Sequence, residues 1–276
     1  MSAAIDLDAY FARIGYTGPR VPALETLSRI HELHAASIPF ENLSPLAGEP
    51  VGLDPGSLQA KLVRGGRGGW CFEHNLLLSH VLLALGFRVK RLAARVRYNV
   101  APDVATARSH CLMLVPVDGV EYVADVGFGG LVLTGPLALR PGIEQSTPHE
   151  RHRILLEGGG VHRLEASVAG EWKALYTFEL NEAQVVDYEV SNWYLGHFPQ
   201  SHFVTSLVGA RAEPGRRHAL RNTRYSIHGA DGTEQRFATS VAELIEILEG
   251  PLAIRVPRST RLKEKLARIV ESNPPQ

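Results

Sequence analysis

The 276-residue chain has little cysteine and no excess charge of either sign. Cys71 and Cys111 are its two cysteines, too few for the disulfide framework of a small stapled scaffold. Lysine plus arginine number 29 and aspartate plus glutamate 29, so bulk charge recruits no polyanion, and neither nucleic acid nor a membrane surface is expected as a partner. No uncharged apolar run is long enough to span a bilayer. Residues 1–16 carry early acids and no apolar signal core, which points to a reducing, cytoplasmic setting. The glycine-rich run at 65–69 lacks the lysine followed by serine or threonine of a phosphate loop. His149 and His152 have i, i+3 spacing but lie in a polar segment without cysteine or clustered carboxylates; they read as surface histidines, and no metal is expected.

A hydrophobic fraction of 45% supports a sizeable core, and one feature organises the rest. Glycines 65, 66, 68 and 69 lead into Trp70 and Cys71, after which Phe72, Leu76, Leu77, Val81, Leu82 and Leu85 mark a buried helix closed by Gly86. Cys71 therefore falls in a first helical turn, where unpaired N–H groups and the helix dipole favour thiolate over thiol. A buried cysteine is often only a small hydrophobe, so the question becomes whether a base can reach this sulfur.

Residues before the glycine run are mostly helical in pattern: 7–15, a second helix through Leu24, Leu27, Ile30 and Leu33, a buried loop at 38–43, and a helix capped by Asp54-Pro55. After Gly86 the period changes to that of strands. Asp118-Gly119 is a two-residue hairpin signal between 109–117 and 120–126. Pairing Val117 with Val120 sets Leu112 opposite Asp125 and His110 opposite Gly127. His110 and Asp125 then become diagonal neighbours on one face, roughly 7–8 Å apart. Taken alone they could be a structural pair; beside Cys71 they supply a base and its orienting carboxylate. Strand alternation places Cys111 on the opposite face from His110, inert and away from Cys71. Further strands suggest a small barrel, the aromatics Tyr188, Trp193, Tyr194 and Phe198 read as packing, and the last quarter mixes strands with helices near 240–250 and 258–270, ending in a frayed tail over 272–276.

Pro39-Phe40-Glu41-Asn42-Leu43, Arg67-Gly68-Gly69-Trp70-Cys71-Phe72-Glu73-His74-Asn75, Ser109-His110 and Asp125-Val126-Gly127-Phe128-Gly129 together resemble the arylamine N-acetyltransferases, in that family's order and intervals over essentially the whole chain. The resemblance implies an α+β fold: an N-terminal helical bundle (1–88), a central β-barrel (89–200) and a C-terminal α/β lid (201–276), with a cysteine-protease-like Cys71-His110-Asp125 core. It implies acetyl-CoA as acyl donor, no tightly bound cofactor, and small aromatic amines or hydrazines as acceptors, with oxygen transfer to N-arylhydroxylamines a further expectation. Phe40, Val96, Phe128 and Phe203 would line the acceptor pocket, and Glu41, Arg67 and Asn75 would support the active-site helix. A thiol hydrolase of transglutaminase type and an amide synthase on the same scaffold use the same chemistry and stay open at this level, as do the CoA-contacting residues, the physiological acceptor and the oligomeric state.

Overall fold

The computed structural model describes residues 4–273. The chain opens with α1 (Leu7–Ile14) and α2 (Leu24–Ser37), then a two-residue strand β1 (Phe40–Glu41), the short α3 (Leu43–Leu46) and α4 (Pro55–Leu58), a π-helical stretch (Gln59–Arg64), and α5 (Cys71–Ala84). The helix end at Gly15 and the cap at Asp54 are as expected, and Asp6 adds a cap of its own. The Asp6 carboxylate accepts from Ala9 N, Gly15 closes α1 at φ 70°, and Asp54 caps the turn that begins with Pro55. One buried core joins α1, α2 and α5 through Tyr10, Phe11, Leu27, Ile30, Phe72, Leu77 and Val81.

From residue 90 onward the backbone turns to strands: β2 (Lys90–Val96), β3 (His110–Val117), β4 (Val120–Ala124), β5 (Leu137–Ala138), β6 (Glu144–Ser146), β7 (Arg151–Leu156), β8 (His162–Val168) and β9 (Glu171–Glu182). They form one antiparallel sheet in the order β5-β4-β3-β2-β9-β8-β7-β6, curled into a nearly closed barrel. The two end strands are bridged by a side chain: Gln145 donates to Ala138 O and accepts from Ala138 N, both at 2.8 Å, so an amide stands in for a missing rung. His152, expected at the surface, is fully buried on β7; strand alternation turns it inward between the exposed Arg151 and the half-buried Arg153.

The hairpin register is as expected, with Val117 opposite Val120 and Met113 opposite Ala124, and with Asp118 and Gly119 both at positive φ, 49° and 78°. The ladder, however, ends at Met113 and Ala124. Beyond it the backbone N–H groups go to side chains: Asp125 N donates to His31 Nε2 at 3.1 Å, and Val126 N to Asn75 Oδ1 at 3.0 Å. β3 is also the wall between two cores. Cys111, Met113, Val115 and Val117 face the helices, and Leu112 and Leu114 face the barrel interior.

After the barrel come α6 (Val185–His197), α7 (His202–Thr205), strands β10 (Val208–Glu213), β11 (Arg216–Arg221), β12 (Arg224–Gly229) and β13 (Gly232–Phe237), and the helices α8 (Val241–Glu249) and α9 (Thr260–Ser272). The strands form a second antiparallel sheet whose edge is completed by β1, with Phe40 opposite Ala210. A third core packs α8, α9 and this sheet onto Leu43 and Leu46. On α6, Tyr188 and Asn192 point inward while Trp193 and Tyr194, with Phe198 just past the helix end, stand out in solvent, so of the four aromatics only Tyr188 is the packing residue its composition suggests. Ser272 is still helical, and the rest of the frayed tail expected over 272–276 falls partly on 274–276, outside the described residues. Among the described residues no helix is long and apolar enough to cross a membrane.

Candidate active site

Cys71 is the first residue of α5, and its position follows from the segment before it. Residues 67–69 lie flat against 39–41: Glu41 N donates to Gly69 O at 2.9 Å, and a Cβ at Gly68 would sit 1.9 Å from Pro39 O. Only glycine admits that approach. Two ion pairs hold the entry to the helix. Arg67 Nη2 and Nε reach Glu41 Oε1 at 2.7 and 2.8 Å, the buried pair expected from the sequence, and Lys61 Nζ reaches Glu73 Oε1 at 2.7 Å. Glu73 in turn accepts from Trp70 N at 3.1 Å, satisfying a donor just ahead of the helix. Burial pushes the Glu73 carboxyl up, and the Lys61 ammonium opposes it without cancelling it.

His110 begins β3, so its ring lies at the strand's end. Its Nε2 donates to Asp125 Oδ2 at 2.7 Å, and the ring lies near enough to Cys71 to favour its thiolate, while Cys71 Sγ donates to Ser109 O at 3.7 Å. The Asp125 carboxylate is fully buried and hydrogen-bonded at both oxygens: its second oxygen accepts from Asn75 Nδ2 and from Gly127 N, both at 2.9 Å. Asn75 works twice more, donating to Cys111 O at 2.7 Å and accepting from Val126 N. A Cβ at Gly127 would meet Cys71 Cα at 2.7 Å and Asn75 Nδ2 at 2.8 Å, so helix, strand end and loop touch without a side chain between them.

The electrostatics follow from these contacts. Burial pushes the Cys71 thiol up, but hydrogen bonds from Cys111 and His110 and the imidazolium charge outweigh it and bring it down to about 6. Burial pushes His110 down, and the Asp125 carboxylate beside it reverses this, raising it to about 10. Asp125 is lowered despite its burial, by the His110 charge and the hydrogen bonds just described. At neutral pH the arrangement is a thiolate beside an imidazolium oriented by a carboxylate. His31, pushed by burial down to about 4, stays neutral, which leaves its Nε2 free to accept from Asp125 N.

Phe128 packs edge-on against His110 at 5.1 Å, and Phe40 lies 6.2 Å from Phe203, which meets Trp70 at 5.1 Å. A Cβ on Gly129 would lie 3.7 Å from the Phe40 ring, so the two aromatic groups are adjoining. Val96 meets them through Tyr176, its partner on β9, whose ring is 4.9 Å from His110. Cys111 corrects its expectation. It does face away from His110, but the face it occupies is the one α5 packs on, and its Sγ donates to Cys71 O at 3.4 Å. Alternation was sound; what strand periodicity could not tell is which element covers that face. Four residues escaped the sequence reading: His31, Lys61, Tyr176, and Asn192, whose Oδ1 accepts from Trp70 Nε1 at 2.9 Å. Each lies on a segment with no local motif.

A family model described as N-acetyltransferase matches residues 23–261. The arylamine N-acetyltransferase of Mycolicibacterium smegmatis is 43% identical over 249 residues, covering 89% of this chain and 90% of that relative. The chain belongs to the arylamine N-acetyltransferase family. The crystallised M. smegmatis arylamine N-acetyltransferase superposes with a TM-score of 0.93 at 40% identity, covering 97% of this chain and all of that one. The Mycobacterium marinum arylamine N-acetyltransferase, solved in complex with CoA, superposes with a TM-score of 0.92 at 38% identity, covering 96% of this chain and 99% of that one. The α+β architecture expected of an arylamine N-acetyltransferase, with helices, barrel and a second sheet, is the one found here.

Proposed function

We propose that the chain transfers an acetyl group from acetyl-CoA to the nitrogen of small arylamines and arylhydrazines, and to the oxygen of N-arylhydroxylamines, through an acetyl-Cys71 intermediate. The observation that carries this reading is the buried grouping of Cys71 at the start of α5 with a His110 hydrogen-bonded to Asp125, in a chain whose relatives are arylamine N-acetyltransferases. Cys71 thiolate attacks the thioester carbonyl, the tetrahedral oxyanion forms beside the free N–H groups of the helix start, and CoA leaves as His110 gives up its proton. The acceptor amine then attacks the acetyl-cysteine while His110 takes the amine's proton and Cys71 leaves as thiolate. Asp125 holds the imidazole with Nε2 toward itself, leaving the other nitrogen for the chemistry.

Phe40, Phe128 and Phe203, with Val96 at the edge, form the slot for the flat ring of the acceptor. Three units divide the work, 1–88 carrying the nucleophile, 89–200 the histidine and aspartate, and 201–276 the lid, a division supported by the barrel core, whose buried residues all fall within 92–178, while the other two large cores cross the boundaries. Acetyl-CoA is consumed as a substrate, with no resident cofactor. Two free cysteines and the absence of a membrane-spanning helix among the described residues favour a reducing, cytoplasmic setting.

Initial-velocity kinetics test the cycle. Varying acetyl-CoA at several fixed arylhydrazine concentrations should give parallel double-reciprocal lines, and Cys71→Ala should be inactive. Intersecting lines, or turnover by Cys71→Ala, would replace the covalent cycle with direct transfer.

A further inference from the structure

The transfer cycle leaves one group beside the nucleophile unused. Cys111 is buried, donates its thiol to Cys71 O at 3.4 Å, and shares with Cys71 the core between α5 and β3. Cys71 Sγ itself lies 3.7 Å from Ser109 O, and the nearby Cys111 thiol helps bring the Cys71 thiol down. These are the chain's only cysteines, both free, and the fold brings them together across 40 residues of sequence.

We propose that Cys111 is the resolving thiol for Cys71, so that peroxide converts the pair to a reversible Cys71–Cys111 disulfide in place of irreversible oxidation of the nucleophile. This rests on the reading of Cys71 as a reactive thiolate. The order of events is fixed by the two environments. Cys71 is the acidic thiol and reacts first, whereas burial holds Cys111 protonated and unreactive toward peroxide on its own. The Cys71 thiolate attacks one oxygen of hydrogen peroxide, the O–O bond breaks, and hydroxide leaves, taking a proton to become water. Cys71 is then a sulfenic acid. The Cys111 sulfur attacks the Cys71 sulfur, the S–S bond forms, the S–O bond breaks, and the departing hydroxide takes the Cys111 proton as a second water. Two thiols have lost two electrons and one peroxide has gained them. Peroxide is far smaller than the thioester that must reach the same sulfur, so access is no obstacle. Without a neighbouring thiol, the sulfenic acid would continue to sulfinic acid, from which thiol reductants recover nothing.

The experiment treats the full chain with hydrogen peroxide near stoichiometric concentration, unfolds it in the presence of iodoacetamide, and reads the intact mass and the peptide map. The expected product is lighter by two hydrogens, alkylated at neither cysteine, and yields one linked peptide containing Cys71 and Cys111; dithiothreitol restores both thiols and full activity. Cys111→Ala and Cys111→Ser should instead carry added oxygen on Cys71, with activity that dithiothreitol fails to restore after a second peroxide dose. Prior incubation with acetyl-CoA should protect the wild type. Oxygenated Cys71 beside an alkylated Cys111 in the wild type would overturn the proposal, an outcome read on the wild type alone, whether or not either variant folds. A disulfide that forms normally in a protein that takes no acetyl group would instead overturn the transferase reading and leave the thiol pair standing.

Discussion

Replacing Asp125 with asparagine changes one oxygen to an amide nitrogen at a buried site where both oxygens are already hydrogen-bonded. Oδ1 accepts from Asn75 Nδ2 and Gly127 N, so the oxygen of the new amide stays there and its NH2 is turned toward His110. His110 Nε2 can then no longer donate. The ring must take the other tautomer, with its proton on the side of Cys71, and the imidazolium form is opposed by a facing N–H. The His110 part of what brings Cys71 down to about 6 is lost while the Cys111 part stays, and the thiol moves up toward its ordinary 9.0. A full return to 9.0 would take the thiolate share at pH 7 from roughly nine-tenths to about one-hundredth, so population alone costs up to about 10²-fold in nucleophile. The wrong tautomer adds to this, toward the ~10⁴-fold seen for the equivalent change in a Ser-His-Asp protease. The assay is the rate of Cys71 alkylation by iodoacetamide across pH 4–11, beside kcat/KM for acetyl-CoA, with the thermal midpoint measured to show that the variant is folded. An inflection that stays near 6 in a folded Asp125→Asn variant would refute the reasoning, because the carboxylate would then not be what sets the thiolate.

In the wild type, kcat/KM for acetyl-CoA should be bell-shaped: below about 6 the Cys71 thiolate takes up a proton and the rate falls tenfold per unit, and above about 10 His110 loses the proton that CoA needs as it leaves. A flat profile from 5 to 11 would contradict the ion pair. The stability linkage of the two groups runs in opposite directions. The raised His110 contributes fully below 6.5 and loses its contribution as pH rises toward 10, while the lowered Cys71 contributes fully above 9 and loses its contribution as pH falls through 6; denaturant titrations should therefore show partial compensation across neutral pH. Gly127→Ala should cost activity and stability together, since its Cβ meets Cys71 Cα at 2.7 Å; a variant with wild-type melting and turnover would disprove that close approach. Lys61→Met leaves the Glu73 carboxylate buried without its partner and should destabilise by about 3–5 kcal/mol in urea, a change below about 1 kcal/mol counting against the pair. Phe128→Leu should raise KM for arylamines far more than for acetyl-CoA, and equal effects on both would remove Phe128 from the acceptor slot.

The parts of this site that were legible in the sequence are those where one local rule acts alone. The position of Cys71 in a first helical turn came from a glycine run followed by an apolar period, and the alignment of His110 with Asp125 came from the geometry of a two-residue turn. The Glu41–Arg67 pair and the role of Asn75 came with the family resemblance. What was not legible depends on which surfaces pack together. The end of the β3–β4 ladder at Ala124 is decided by His31 and Asn75, which arrive from two helices to claim the strand's next N–H groups. The neighbour of Cys111 is decided by α5 lying on one face of β3, and the burial of His152 by the closing of a barrel whose last rung is a glutamine side chain. The outward aromatics of α6 show the reverse case, where composition suggested packing and the helix turned them to solvent.

The central claim is that the acetyl group rests on Cys71 between donor and acceptor. Brief incubation of the wild type and Cys71→Ala with acetyl-CoA alone, followed by intact-protein mass spectrometry and peptide mapping, tests it directly. The account requires one acetyl adduct on Cys71, released by an arylhydrazine chaser and absent from the variant. An enzyme that turns over donor and acceptor yet never carries an adduct, or carries it elsewhere, would contradict it.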